Sequence, residues 1–211
     1  MLEPESRPRL QLKIVHSDSP EMHDFIPLKT ARLELRPLLP SDAGEIEKLL
    51  NDRELASNTE SIDFPYPPGD AAGWIDRNHD RWKVGEAYVL AICQKETERL
   101  IGTVELVANK QHHRAELSYW IGRNFWNQGF ATEAASGIVS FGFTELGFAR
   151  ITSQHFARNP ASGRVLEKIG MRFEGTRKGH IRKWNQFEDV NIYGMLARDF
   201  LKKRQENFTE K

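Results

Sequence analysis

Trp126-Asn127-Gln128-Gly129-Phe130-Ala131-Thr132-Glu133-Ala134 is the run of residues on which the fold turns. It joins a strand-like segment, Ala115 to Gly122, to a segment with Ile138, Phe141 and Leu146 at roughly helical spacing. The first N–H groups of a helix have no partner inside it, and the helix dipole adds about half a positive charge there, so such a turn suits a phosphate. Gly129 and Ala131 keep bulk away and let an anion approach the backbone. The same pattern also fits a helix that merely follows a loop, because one Gly-x-small turn carries little information alone.

A second segment adds to it. The strand-like run Arg150 to Phe156 leads into Asn159-Pro160-Ala161-Ser162-Gly163-Arg164-Val165-Leu166-Glu167-Lys168-Ile169-Gly170-Met171-Arg172-Phe173. With both segments in view, residues 28–198 resemble a GNAT-superfamily acyl-CoA transferase. The superfamily's pyrophosphate loop reads Gln/Arg-x-x-Gly-x-Gly/Ala; here Trp126 takes the first position, Gly129 the glycine and Ala131 the last small residue. An aromatic residue at Trp126 resembles the RimJ/RimL-type branch, as does the Asn159 to Phe173 segment. The resemblance implies one α/β domain with a mixed β-sheet, splayed at the strand before the phosphate turn and flanked by helices, and acetyl-CoA as co-substrate.

Composition agrees with a single soluble domain. The 211 residues suffice for one sizeable core. Lys+Arg 30 against Asp+Glu 30 gives no net charge, so neither direct nucleic-acid binding nor an anionic membrane is expected as partner. One cysteine, Cys93, precludes an internal disulfide, and its apolar surroundings read as a buried thiol rather than a nucleophile. No apolar run suits a signal segment or membrane span, and the expected location is cytoplasmic.

Along the chain, residues 1–27 read as an extension containing one alternating piece, Leu10 to Val15. Thr30 to Arg36 has strand period and is closed by Pro37. Asp42 and Glu45 have capping-box spacing before Ile46, Leu49 and Leu50, which predicts the first helix. Phe64-Pro65-Tyr66-Pro67-Pro68 precludes regular structure, and a helical pattern resumes from Gly73 to Val84. Strands are predicted at Tyr88 to Cys93, Ile101 to Val107 and Ala115 to Gly122, paired as antiparallel hairpins, and a closing strand at Phe187 to Leu196. Residues 199–211 read as a charged helix or tail. Trp74, Trp82, Trp120 and Trp184 are expected in the core.

Acetyl transfer to an amine needs a proton acceptor for the amine, hydrogen-bond donors for the developing oxyanion and a proton for the thiolate. An α-amine has a pKa of about 8 and a lysine amine about 10.4, so a base matters more for lysine. Glu116, in the strand that the family lays beside the pantetheine, is the first candidate base, and a solvated strand residue is the plain alternative. His180 is the rival, with an unperturbed pKa of about 6.5. Many superfamily members carry a tyrosine seven positions after the asparagine, as the thiolate acid. Here that position is Leu166, which has no proton to give. Ser162 then falls to the task, or simply caps a helix.

The resemblance further implies that Asn159 holds the pantetheine, that a backbone N–H near Trp120 or Ile121 serves the oxyanion, and that Asn127, Gln128, Gly129, Phe130, Ala131 and Thr132 hold the pyrophosphate. Arg164 reaches a phosphate or is an exposed helix residue. Tyr66, more than Phe64, is expected in the acceptor wall. The adjacent pair His112-His113 lacks a third spaced ligand, so no metal is expected. The preferred acceptor is a protein N-terminal α-amine of ribosomal-protein type. A small amine, amino acid or antibiotic remains open, as do a catalytically silent acyl-CoA-binding module and either a monomer or a homodimer.

Overall fold

The computed structural model describes residues 25–209, so the alternating piece Leu10 to Val15 lies outside the described residues. Its chain order is β1 (Leu28–Lys29), β2 (Leu33–Pro37), α1 (Ala43–Leu50), α2 (Arg53–Ser57), α3 (Asp70–Lys83), β3 (Ala87–Gln94), β4 (Leu100–Asn109), β5 (Arg114–Ile121), α4 (Phe130–Thr144), β6 (Arg150–Phe156), α5 (Pro160–Lys168), β7 (Arg172–Lys183), β8 (Gln186–Leu196) and α6 (Ala197–Thr209). The strands form one sheet in the order β1-β2-β3-β4-β5-β6-β8-β7. Every pairing is antiparallel except β5 with β6.

That parallel pairing is short. It joins Arg114–Leu117 to Arg150–Ser153 and stops, although β5 runs on to Ile121 and β6 to Phe156. The two strands part beyond Leu117, which is the expected splay. β3 lies inside the sheet and is buried on both faces, as a continuous apolar run predicts. Tyr88, Leu90 and Ile92 join the core beneath α4, while Ala87, Val89, Ala91 and Cys93 join the core beneath α1 and α3. Burial pushes the Cys93 thiol up, away from reactivity.

Several expectations are corrected. Asp42 makes no cap bond to α1; its carboxylate receives the Arg36 guanidinium at 2.7 and 2.8 Å and the Leu39 N–H at 2.7 Å. A charge-assisted fork outcompetes a local cap. Glu45 likewise turns outward to Arg99. The short helix α2, capped by Asp52 through the Leu55 N–H, has no counterpart in the sequence reading. α3 begins three residues before Gly73, because Gly69 at φ +85° supplies the turn into it. α4 ends at Thr144, leaving Leu146 beyond it. The segment Gly175 to Asn185, without an assigned element from sequence, is mostly the edge strand β7. Trp184 is 44 % exposed at the β7–β8 turn rather than in the core. Upstream of β1, Phe25 stacks edge-on against Trp82 and Phe141.

Candidate active site

The splay and the α4 turn together shape one cleft. Gly129 stands at φ +82° and Asn127 at φ +60°, a left-handed turn that delivers the chain into α4. Within the helix the first bond runs from Glu133 N–H to Gly129 O, so the N–H groups of Phe130, Ala131 and Thr132 lack intrahelical acceptors. Arg32 braces this turn: it donates to Gln128 O at 3.0 Å, pairs with Glu133 at 2.8 Å and lies 4.5 Å over the Phe130 ring. Glu133 would otherwise oppose an anion at the helix end; Arg32 neutralises it. Burial alone would raise the Glu133 pKa, but hydrogen bonds from Thr30 and Arg32 outweigh it and hold the carboxyl below its usual range.

This cleft is lined by Trp120, Ile121, Asn127, Gly129, Phe130, Ala131, Thr132, Asn159, Ser162 and Arg164. Two motifs some thirty residues apart thus meet in space. Gln128 is the exception, with its side chain turned back to Asn124 O at 3.2 Å. Asn159 caps α5, accepting from the Ser162 N–H at 3.4 Å, so the helix cap is Asn159 and the Ser162 hydroxyl is free for another partner. That partner is Tyr119. Its hydroxyl lies 2.9 Å from Ser162 Oγ and 3.1 Å from Ser162 O. Burial raises the Tyr119 pKa, so the phenol keeps its proton. Leu166 is fully buried in the core.

The strand register refines the oxyanion donor. Gly122 N–H donates to Ile101 O on β4, and antiparallel ladders alternate, so Trp120 also turns its N–H toward β4. The N–H groups of Tyr119 and Ile121 therefore face the gap between β5 and β6. The Trp120 N–H is thus committed to β4, and the backbone donors open to that gap belong to its neighbours.

A second cleft adjoins the first, sharing Asn58, Thr59, Tyr119, Trp120 and Ser162. Its floor is the opposite face of β4 and β5, where Thr103, Glu105 and Val107 stand across from Trp120, Ser118 and Glu116. Tyr66, Trp74 and Glu60 form further wall; Phe64 does not reach it. Glu116 keeps an exposed edge, but partial burial in this cleft, then the nearby Glu60 charge, raises its pKa against the opposing effect of Arg114 and Arg177. Glu105 receives the Ser118 hydroxyl and sits one strand step closer to the junction with the first cleft than Glu116 does. The loop carrying Glu60 and Ile62 is pinned by Lys183, whose Nζ donates to Ile62 O at 2.6 Å, and by Arg158, which donates to Asn58 Oδ1 at 3.0 Å. Burial lowers the Lys183 pKa. His180 lies exposed on β7 outside both clefts, beside Arg177 at 3.2 Å.

Sequence reasoning missed Tyr119, Glu105, Glu60 and Arg32. Glu105 had a visible signal, as the one charged residue in the apolar run Leu100 to Ala108. Tyr119 had none, since a strand tyrosine usually means packing.

A profile of the acetyltransferase (GNAT) domain matches residues 32–172. The chain belongs to the GNAT acetyltransferase family. It is 33% identical over 177 residues to the uncharacterized N-acetyltransferase YoaA of Bacillus subtilis (strain 168), covering 80% of this chain and 96% of that one. It is 26% identical to spermidine N(1)-acetyltransferase of Vibrio cholerae serotype O1, over 83% of this chain and 99% of that one. Among solved structures, RimL, the ribosomal L7/L12 alpha-N-protein acetyltransferase in complex with coenzyme A, superposes with a TM-score of 0.75 at 18% identity, over 81% of this chain and 98% of that one, a likeness of fold. This GNAT protein is a RimL-like, acetyl-CoA-dependent N-acetyltransferase, which sets the silent-module reading aside. No helix among the described residues is long and apolar enough to cross a membrane.

Proposed function

We propose that this GNAT enzyme acetylates an N-terminal α-amine of a peptide or protein by direct attack on acetyl-CoA in a ternary complex. The observation that carries the reading is the meeting of two clefts at Tyr119, Trp120 and Ser162, one ending in unpaired helix N–H groups and the other lined with carboxylates and aromatic rings. The first suits the cofactor: the N–H groups at Phe130, Ala131 and Thr132 face a diphosphate, and Arg164 adds a cation nearby. Asn159 Oδ1 caps α5 and fixes the helix that presents Ser162, while its side-chain N–H groups are the donors that would hold the pantetheine.

The second cleft suits an ammonium group. Glu105 and Glu116 attract it, and the raised pKa of Glu116 suits that carboxylate to accept a proton. Glu116 Cα is four strand residues from Trp120, about 13 Å at ~3.3 Å per residue, so the proton reaches it through water. The neutral amine then attacks the thioester carbonyl carbon, and the N–H of Ile121 or Tyr119 receives the oxyanion. As the carbon–sulfur bond breaks, the surplus proton on the newly acylated nitrogen leaves and the thiolate gains one, relayed through Ser162 Oγ–H, which is restored in the exchange while Tyr119 O–H supports the serine oxygen. The phenol thus fills from the strand the place that Leu166 leaves vacant on the helix.

The second reading is a small polyamine acceptor, favoured by the number of carboxylates in the cleft. A panel of peptides with free amino termini, their amino-blocked forms and spermidine, followed by release of CoA thiol, tests the proposal. Transfer to free-amino peptides alone supports it; transfer to spermidine alone refutes it.

A further inference from the structure

The acceptor cleft changes charge along its length. Glu105 and Glu116 lie on its floor and Glu60 on its loop wall. Beyond Glu116 the same face of β5 carries Arg114, two residues or about 7 Å farther from the junction with the cofactor cleft. A second cation arrives from β7. Arg177 pairs directly with Val190 of β8, direct cross-strand partners share a sheet face, and Val190 is a buried part of the cleft wall. Arg177 therefore stands on the cleft side, and Ile181 of the same strand also lines the cleft.

Neighbouring cations are already matched. Arg150 pairs with Glu174, Arg158 with Glu188 and Lys178 with Asp189. Among the described residues neither Arg114 nor Arg177 has such a carboxylate partner; the near neighbour of Arg177 is the imidazole of His180. Both act on Glu116 at longer range, but two guanidinium groups without a direct ion pair thus stand outside a carboxylate-lined interior.

We infer that the acceptor is an acidic amino-terminal segment, its amine drawn inward to the glutamates and its own carboxylates drawn outward to Arg114 and Arg177. The inference rests on the N-terminal acceptor reading given above and deepens it. A polyamine would place its second ammonium near these arginines and be repelled. An extended peptide advances ~3.3 to 3.6 Å per residue, and Ser118 to Arg114 spans about 13 Å of strand, so the favoured carboxylates belong to the third or fourth acceptor residue.

The test uses the full chain with three amidated pentapeptides that differ only at positions three and four, carrying two aspartates, two alanines or two lysines, and with spermidine alongside. The aspartate peptide should exceed the lysine peptide at least ten-fold in kcat/KM, mostly through KM, and added salt should shrink the gap. Exchanging both cations for acids, Arg114→Glu with Arg177→Glu, should invert the order of the peptides, which a merely structural role would not do. Should that double variant fold poorly, Arg177→Gln, a neutral change on an exposed strand, should still narrow the preference several-fold. Equal rates for the three peptides would overturn the inference while leaving N-terminal acetylation standing, and so would a preference for lysine. CoA release with none of the peptides would overturn the acceptor reading and this inference together.

Discussion

The hydroxyl groups of Tyr119 and Ser162 lie 2.9 Å apart at the junction of the two clefts, one carried by the splayed strand β5 and the other by the first turn of α5. Neither residue alone would explain how the thiolate is protonated. Together they form a hydroxyl pair, a serine backed by a phenol that burial keeps protonated, and the mechanism proposed above uses this pair to supply the thiolate's proton.

Ser162→Ala and Tyr119→Phe should therefore each lower kcat by about 10- to 1000-fold with little change in acetyl-CoA affinity, the range typical of general acid–base groups. Because the two act as a unit, the double variant should fall well short of the product of the single losses. Stability separates this from a structural effect. Asn159 caps α5, so loss of the serine hydroxyl costs about 1 kcal/mol at most, the scale of one hydrogen bond. A thermal melt near wild type with kcat reduced would support the pair, and wild-type kcat in both single variants would remove it from the mechanism.

Gly129 makes a separate prediction. At φ +82° a side chain costs about 1 to 2 kcal/mol, and a Cβ there would stand 3.4 Å from the Arg32 guanidinium that braces the turn. Gly129→Val should weaken acetyl-CoA binding at least ten-fold in calorimetry while far-ultraviolet circular dichroism stays unchanged. Unaltered affinity would detach the α4 turn from cofactor binding.

Much of this was legible in the sequence, for physical reasons that differ by element. Two motifs, Trp126 to Ala134 and Asn159 to Phe173, carry backbone constraints that few residues satisfy, and residues of both line one cleft; Gln128 falls outside it because its side chain turns back to Asn124 O. β3 and β4 were visible from apolar runs bounded by polar turns. β7 was not, because an edge strand exposed on most positions has no apolar period, and its sequence from Arg172 to Lys183 reads as solvated loop. In the adjoining cleft Tyr66 and Glu116 were anticipated, whereas Glu60 and Glu105 were not, for another reason. Glu60, Glu105 and Glu116 come together only when the α2–α3 loop folds over two strands, an arrangement no spacing encodes. Asp42 looked like a helix cap until Arg36, six residues earlier, claimed its carboxylate.

The Arg36–Asp42 pair should matter for stability. Asp42 is 7 % exposed and gives both oxygens to one guanidinium, while also holding the Leu39 N–H. Breaking a buried pair by removing one partner typically costs about 3 to 5 kcal/mol, and the partial exposure of Arg36 puts this pair at or below the lower end. Asp42→Asn should lower the denaturant midpoint by an amount equivalent to about 2 to 3 kcal/mol. A midpoint unchanged within error would reduce the pair to a surface contact.

Glu116 links activity and stability in opposite directions. Burial in the cleft, and then Glu60, raises its pKa in the folded protein above that of the unfolded chain. Between those two values the folded state holds more protons than the unfolded one, so this group's contribution to stability falls as pH rises through the window. Above the folded pKa the charged carboxylate is a standing destabilisation. Glu116→Gln should then be more stable than wild type at pH 7, and that difference should vanish as pH drops below the unfolded carboxylate pKa. Catalysis should move the other way. Without its proton acceptor the variant must wait for solvent to deprotonate the amine, so its kcat/KM should fall most at low pH, where more of the amine is protonated, and recover as pH approaches the α-amine pKa of about 8. Unfolding curves and initial rates from pH 5 to 9 test both halves. A variant that is less stable at pH 7, or that keeps wild-type rates at pH 6, would return Glu116 to the role of an ordinary strand charge and leave Glu105 as the acceptor's carboxylate.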